Sequence, residues 1–238
     1  MIIVETLGSS SKGNAYRLLS GGRSLLLECG LPWKEIRQRL NHETTSLDGC
    51  LVTHAHKDHC RAAADVLKAG IDLYATETAF QYFGIEGPQH RFHPLIVRMR
   101  IVIANHWRVQ AFETYHDSPG SVGFWIEDMS DYDRLVFLTD TAFSYFTFPQ
   151  TNIFMIEANY SEDILRRNME AGLIDPARAK RVRESHMSIE RVIELLKAND
   201  LSRCRQIHLI HGSEGNSDSA LFKRMVQEAT GVPVTVEG

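Results

Sequence analysis

The stretch Leu51-Val52-Thr53-His54-Ala55-His56-Lys57-Asp58-His59 runs an apolar strand signal straight into three imidazoles and a carboxylate. At the two-residue period of a strand, His54, His56 and Asp58 are expected on one side. A turn and a helix starting near His59 then bring the fourth side chain round. Imidazole nitrogen and carboxylate oxygen suit zinc, manganese or iron, and no paired cysteines join them to close a structural zinc site. Coordination positions left open in this way point to catalysis. A solvated turn is the usual fate of one histidine, not of three within a few residues after a buried strand.

The rest of the chain sets the frame for that cluster. With 238 residues, 43% hydrophobic and 24% charged, the composition predicts a folded core, and residues 1–238 are expected to form one domain whose halves share it. Lys plus Arg at 26 against Asp plus Glu at 30 gives a net charge of −4, which argues against coating nucleic acid by bulk charge but leaves room for a local basic groove. No apolar run reaches membrane-spanning length, and residues 1–8 lack a signal-peptide pattern, so a cytoplasmic, membrane-free protein is expected. Cys29, Cys50, Cys60 and Cys204 lack C-x-x-C spacing and read as reduced thiols.

Strand signals fall at residues 2–7, 15–19, 24–28, 49–53 and 73–75, with helical spacing at 33–40 and 60–69. The middle third adds strands at 108–115, 122–127, 134–138 and 153–156. Helices follow at 161–171 and 188–198, then a strand at 206–210, a helix near 217–229 and a last strand at 232–236. This order predicts an α/β fold with two sheets packed face to face and helices on their outer surfaces.

The H-x-H-x-D-H run from His54 to His59 resembles the signature of the metallo-β-lactamase superfamily. Further pieces fall in that family's order: His116 in Thr114-Tyr115-His116-Asp117, Asp140 in Leu138-Thr139-Asp140-Thr141, and His211 in Leu209-Ile210-His211-Gly212. The resemblance implies a four-layer αββα sandwich of two mixed β-sheets flanked by helices. It also implies two divalent ions, zinc or manganese, one held by His54, His56 and His116, the other by Asp58, His59 and His211, with Asp140 bridging. Two dications about 3.5 to 4 Å apart would lower the pKa of a shared water and neutralise charge on the attacked group. His208, three residues before His211, is expected on the opposite sheet face as a packing or solvent residue.

Finer features are similar to the WalJ-like and ribonuclease Z-like branches of that superfamily. The first loop, Gly8-Ser9-Ser10-Ser11-Lys12-Gly13-Asn14, resembles their small-residue loop and makes Ser10, Lys12 and Asn14 phosphate-contact candidates. Ser185-His186-Met187-Ser188 resembles a histidine-serine motif in which the histidine is not a ligand, so His186 is expected to bind the scissile phosphate or protonate the leaving oxygen. Glu157 matches a carboxylate that orients ligands. Glu28 stands where the family usually has aspartate, and its longer side chain leaves open whether it braces the histidine loop. Arg181 and Arg183, beside Arg178 and Lys180, suggest a phosphate-binding rim.

The implied function is hydrolysis of phosphodiester bonds in DNA or RNA, as a nuclease or exonuclease, by a metal-bridging hydroxide with Asp58 and His186 in catalytic roles. A cyclic-nucleotide phosphodiesterase fits the same residues. A (thio)ester hydrolase of the glyoxalase II or lactonase type keeps the metals but leaves His186 and the basic rim unused. A non-catalytic metal-binding module is the remaining alternative. The partner is nucleic acid or a nucleotide, and a homodimer is compatible with the sequence.

Overall fold

A computed structural model describes residues 1–85 and 89–237. The chain carries two mixed β-sheets flanked by helices, as expected. By backbone contacts it divides into two compact units, residues 1–113 with 118–133, and residues 114–117 with 134–238.

The first unit opens with β1 (Ile3–Gly8), β2 (Ala15–Ser20) and β3 (Arg23–Leu27), an antiparallel ladder in which Leu25, Leu26 and Leu27 are wholly buried. Helix α1 (Trp33–Arg39) leads to β4 (Leu47–Leu51), and two short helices follow, α2 (Lys57–Cys60) and α3 (Ala63–Lys68). Then come β5 (Leu73–Thr76), α4 (Glu77–Tyr82) and β6 (Phe92–Leu95). Strands β3 to β6 pair in parallel and close a six-stranded sheet in sequence order. The apolar run Leu25 to Leu27 in β3 fits a strand covered on both faces. The core under this sheet joins Leu26, Cys50, Val52 and Leu73 to Ile36, Val66 and Leu67 of the helices.

The unit finishes with β7 (Arg100–Ile103), β8 (Trp107–Glu113) and β9 (Val122–Asp128), an antiparallel ladder in which β8 begins with alternating burial while β9 is buried at every position but Trp125. Trp107 Nε1 donates to Asp48 (2.9 Å) and Ser20 donates to Asp128, so this ladder is tied to the six-stranded sheet by polar contacts as well as packing.

The second unit holds β10 (Arg134–Leu138), β11 (Ile153–Glu157), α5 (Glu162–Glu170), α6 (Pro176–Ser185), α7 (Ile189–Lys197), β12 (Gln206–Ile210), α8 (Ser219–Thr230) and β13 (Val234–Val236). Its four strands run parallel in the order β10-β11-β12-β13, and β11 is buried at every position. Ser188 caps α7 by accepting from the Arg191 backbone N–H, and the helix buries Ile189, Val192, Leu195 and Leu196 on one stripe.

Several sequence expectations shift. The strand expected at 49–53 ends at Leu51, so His54 to His56 lie in a loop and strand periodicity does not set their directions. The helix expected at 60–69 is two short ones. Strand β6 went unrecognised because Pro94 interrupts it, which an edge strand tolerates. Helix α6 went unrecognised because it buries only Ala179 and Ser185 and offers no apolar stripe. All four cysteines are free thiols. No helix among the described residues is long and apolar enough to cross a membrane.

Candidate active site

In the first unit the histidine loop is gripped from three directions. Its far side is held where the Val122 N–H donates to the Thr53 carbonyl (3.1 Å) and the Ala55 N–H reaches the Ser118 hydroxyl (3.4 Å). The loop after β3 holds the other side: the Cys29 N–H donates to the His59 carbonyl (2.8 Å), and the Ala62 N–H returns a bond to the Cys29 carbonyl (2.8 Å). From the first loop, the Asn14 N–H donates to the Asp58 carbonyl (2.7 Å). Where these segments cross stands Gly30, at which a Cβ would lie 1.6 Å from the Asp58 carbonyl oxygen.

Within this frame His54 and His59 are fully buried, and their rings lie 4.2 Å apart, with His56 4.8 Å from His54 edge-on. The Thr53 hydroxyl engages His54 Nδ1 (2.8 Å) and so fixes the ring's rotation. Asp58, half-buried on α2, places Oδ2 3.4 Å from His59 Nε2. Glu28 does reach: although it lies just past β3 with φ of 62°, its Oε2 comes within 3.6 Å of His59 Nδ1 and its carboxylate accepts from the Thr53 N–H. Burial pushes the Glu28 carboxyl above its usual range, with His59 and Thr53 drawing it only part of the way back. The longer acid therefore does the bracing expected of the shorter one.

The second unit gathers the other candidates at the ends of its parallel strands. Asp140 follows β10, Glu157 ends β11 and His211 follows β12, the position at which open parallel sheets place ligands. Asp140 (φ 46°) and His211 (φ 53°) both occupy left-handed backbone that non-glycine residues rarely adopt, a strain that surrounding structure must hold in place. Glu157 is the hub. Its Oε1 lies 2.6 Å from His186 Nδ1 and 3.1 Å from His211 Nδ1, while Oε2 accepts from the backbone N–H groups of Thr141 (3.2 Å) and Met187 (3.3 Å).

Ligand atoms from Asp140, Glu157, His186 and His211 all fall within 4.8 Å of one another. Burial drives the Glu157 carboxyl upward, but the His186 charge and the bonds from both histidines outweigh it and hold the group below its usual range. Burial drives His186 downward, yet the Glu157 charge and the bonds to Asp140 and Glu157 raise it to about 11. Burial chiefly lowers His116; its Nδ1–H donates to the Ser185 carbonyl (3.0 Å), and its Nε2 lies 3.3 Å from Asp117 Oδ1.

Each unit thus presents a donor set suited to a divalent cation: oriented imidazoles in one, imidazoles and buried carboxylates in the other. The phosphate candidates fare differently. Asn14 is buried and spent inside the loop, its Nδ2 on the Ser10 and Asp58 carbonyls and beside His59 Nε2 (3.3 Å). Ser10 helps to form the turn, and Lys12 stays exposed at its tip. Arg181 pairs with Asp117 (2.8 Å) and Arg183 with Glu162 (2.9 Å) from neighbouring segments, and Lys180 with Glu184 (3.7 Å) one turn on in its own helix, so the expected basic rim is met by acids. His208 is buried against Glu237 (2.8 Å), a packing role as expected.

Gly30 and Thr53 were not singled out from the sequence. Only the glycine carried a signal, standing two residues past a buried acid at a strand exit. An aromatic cluster also went unread: Tyr115, the residue before His116, stacks on Phe143 (4.1 Å), and Tyr145 lies edge-on to both, with Tyr115 and Tyr145 exposed.

The family described as the beta-lactamase superfamily domain matches residues 23–211, from the first residue of β3 to the histidine after β12. The chain belongs to the metallo-β-lactamase superfamily. This metallo-β-lactamase superfamily hydrolase is 28% identical over 230 residues to the exodeoxyribonuclease WalJ of Streptococcus pneumoniae serotype 2 (strain D39), covering 89% of this chain and 81% of that one. Among solved structures it resembles the metallo-β-lactamase fold protein YhfI of Bacillus subtilis, with a TM-score of 0.72 at 14% identity over 99% of this chain and 96% of that one. It also resembles human tRNase Z, short form, with a TM-score of 0.65 at 15% identity over 99% and 96%. At such identities the two structures establish the fold alone.

Proposed function

We propose that this hydrolase cleaves phosphodiester bonds in DNA or RNA, with exonuclease action as its specific form and residues 1–238 working as one domain. The observation that carries the reading is the anchoring of His186 by Glu157. A histidine held in this way by Nδ1 offers Nε2 to a substrate, and hydrolysis of an activated ester has little need of such a proton donor. The identity with a protein named an exodeoxyribonuclease supports it, as do the exposed rings of Tyr115 and Tyr145, which suit the faces of bases.

In this reading His54, His56 and His116 would hold one divalent ion and Asp58, His59 and His211 a second, Asp140 would be available to both, and zinc or manganese would suit these donors. When bound, such a pair supplies a nucleophile from water at neutral pH and offsets the charge on the attacked phosphate. The chain's own work is positional. Thr53, Ser185 and Glu157 turn His54, His116 and His211 to face the centre, Glu28 and Asn14 set His59, and His186 delivers its proton to the departing oxygen. Lys12 remains a phosphate contact, whereas Asn14, Arg181 and Arg183 are engaged elsewhere.

The test is hydrolysis of bis-p-nitrophenyl phosphate by metal-loaded protein, beside an ester panel. Asp58→Ala and His186→Ala are each expected to lose about 100-fold or more in kcat, and His186→Ala is expected to keep its metal. Full activity in Asp58→Ala, or ester hydrolysis outrunning phosphodiester hydrolysis, would end the reading. End-labelled single- and double-stranded DNA and RNA then fix the polymer, and single-nucleotide products identify exonuclease action.

A further inference from the structure

Beside the histidine loop lies a pocket of about 350 Å³ lined by Ser11, Lys12, Lys57, Asp58 and Arg61. Three of the five are cations, in a chain whose net charge is −4. Their convergence is built into the backbone. Lys12 sits at the tip of a turn closed by the Gly13 N–H on the Ser10 carbonyl (3.0 Å), and Asn14 pins that turn to Asp58 through both its backbone and side-chain nitrogens. Lys57 and Arg61 stand four residues apart at the two ends of α2, and Arg61 keeps helical dihedrals, so they share one face.

Like charges at this spacing repel. Neither Lys57 nor Arg61 forms an ion pair among the described residues. The one carboxylate in the wall, Asp58, lies 3.4 Å from His59 Nε2 and would be a metal ligand in the proposed reading, and one acid against three bases leaves the wall cationic. An anion is the occupant that relieves this arrangement, and a phosphate accepts from Lys, Arg and Ser together.

We propose that Lys12, Lys57 and Arg61, with Ser11, form a subsite for a second phosphate of the substrate, flanking the one that is cleaved. The inference rests on the phosphodiesterase reading and adds to it a requirement for a polyanion. The second phosphate is either an internal diester of a longer strand or a terminal monoester. A site of this kind selects chains or phosphorylated ends over cyclic nucleotides, which carry one phosphate only.

The experiment compares a dinucleoside monophosphate with the same compound bearing a 5′- or a 3′-phosphate and with a trinucleotide. The full metal-loaded chain is assayed beside Lys57→Ala/Arg61→Ala and Arg61→Lys. Wild-type protein should prefer a second phosphate by about tenfold in kcat/KM, expressed in KM. The double alanine variant should bring that ratio near one, and Arg61→Lys should preserve it. Because the ratio is read within each protein, a general loss of rate cancels. Preference for the phosphorylated dinucleotides alone marks a terminal monoester, and preference for the trinucleotide marks an internal diester.

Binding of phosphorothioate-linked analogues, measured by calorimetry, keeps the two claims apart. If nothing is hydrolysed but the second phosphate still tightens binding in a manner lost with Lys57 and Arg61, the phosphodiesterase reading falls and the subsite stands. Equal binding with and without that phosphate, or a ratio untouched in the double variant, overturns the subsite.

Discussion

Gly30→Ala is expected to cost more than about 4 kcal/mol of stability and to abolish metal binding by the histidine loop. A methyl group at this position has to occupy space 1.6 Å from the Asp58 carbonyl oxygen and 2.7 Å from the His59 backbone nitrogen. Both obstacles are backbone, so no side-chain rotation gives relief. The segments can only part, and parting them breaks the bonds from Cys29 to His59, from Asn14 to Asp58 and from Gly30 to Asn14. Urea denaturation followed by circular dichroism measures the first effect and metal analysis of the purified protein the second. A variant with near-wild-type midpoint and full metal content would show that the crossing is looser than described.

Glu157→Ala is expected to lower kcat at least about 100-fold and metal affinity about 10- to 100-fold together. The two losses arise from one atom, since Oε1 serves both His186 and His211. His186→Ala in contrast should cost rate and spare metal, while His211→Ala should cost metal first. Comparing metal stoichiometry with turnover across the three variants therefore separates a shared brace from two independent ones. A Glu157→Ala protein that binds metal normally and loses only rate would assign the carboxylate to His186 alone.

The candidate ligands were legible because chemistry at fixed spacing is a local property. Three imidazoles and a carboxylate within a short run announce themselves without any fold. What could not be read was how they are held. Glu28 is a strand-end acid in the sequence, and only the left-handed turn at that residue brings its carboxylate to His59. Asn14 resembled a phosphate contact because it lies in a small, polar loop, but that loop folds back on Asp58 and consumes the side chain. Arg181 and Arg183 formed a basic rim on paper because their partners Asp117 and Glu162 are far away in sequence. Charge neutralisation across sequence distance is invisible to composition. The same limit hid α6, whose burial is too sparse to leave a periodic trace.

The register of the parallel strands acts as a ruler. Leu138 lies level with Ile156 and Glu157 with Ile210, which puts Asp140, Glu157 and His211 within one residue of a common row on three hydrogen-bonded strands. The ladder, about 4.8 Å per strand, sets where each of the three leaves the sheet, and the left-handed turns at Asp140 and His211 then bring their side chains to within 3.3 Å. Glu157 is fixed in turn by the Met187 N–H at the entrance to α7, so a change that loosens this helix reaches the row through that bond. The sheet lays out the row, and the layer outside it decides how firmly the row is kept.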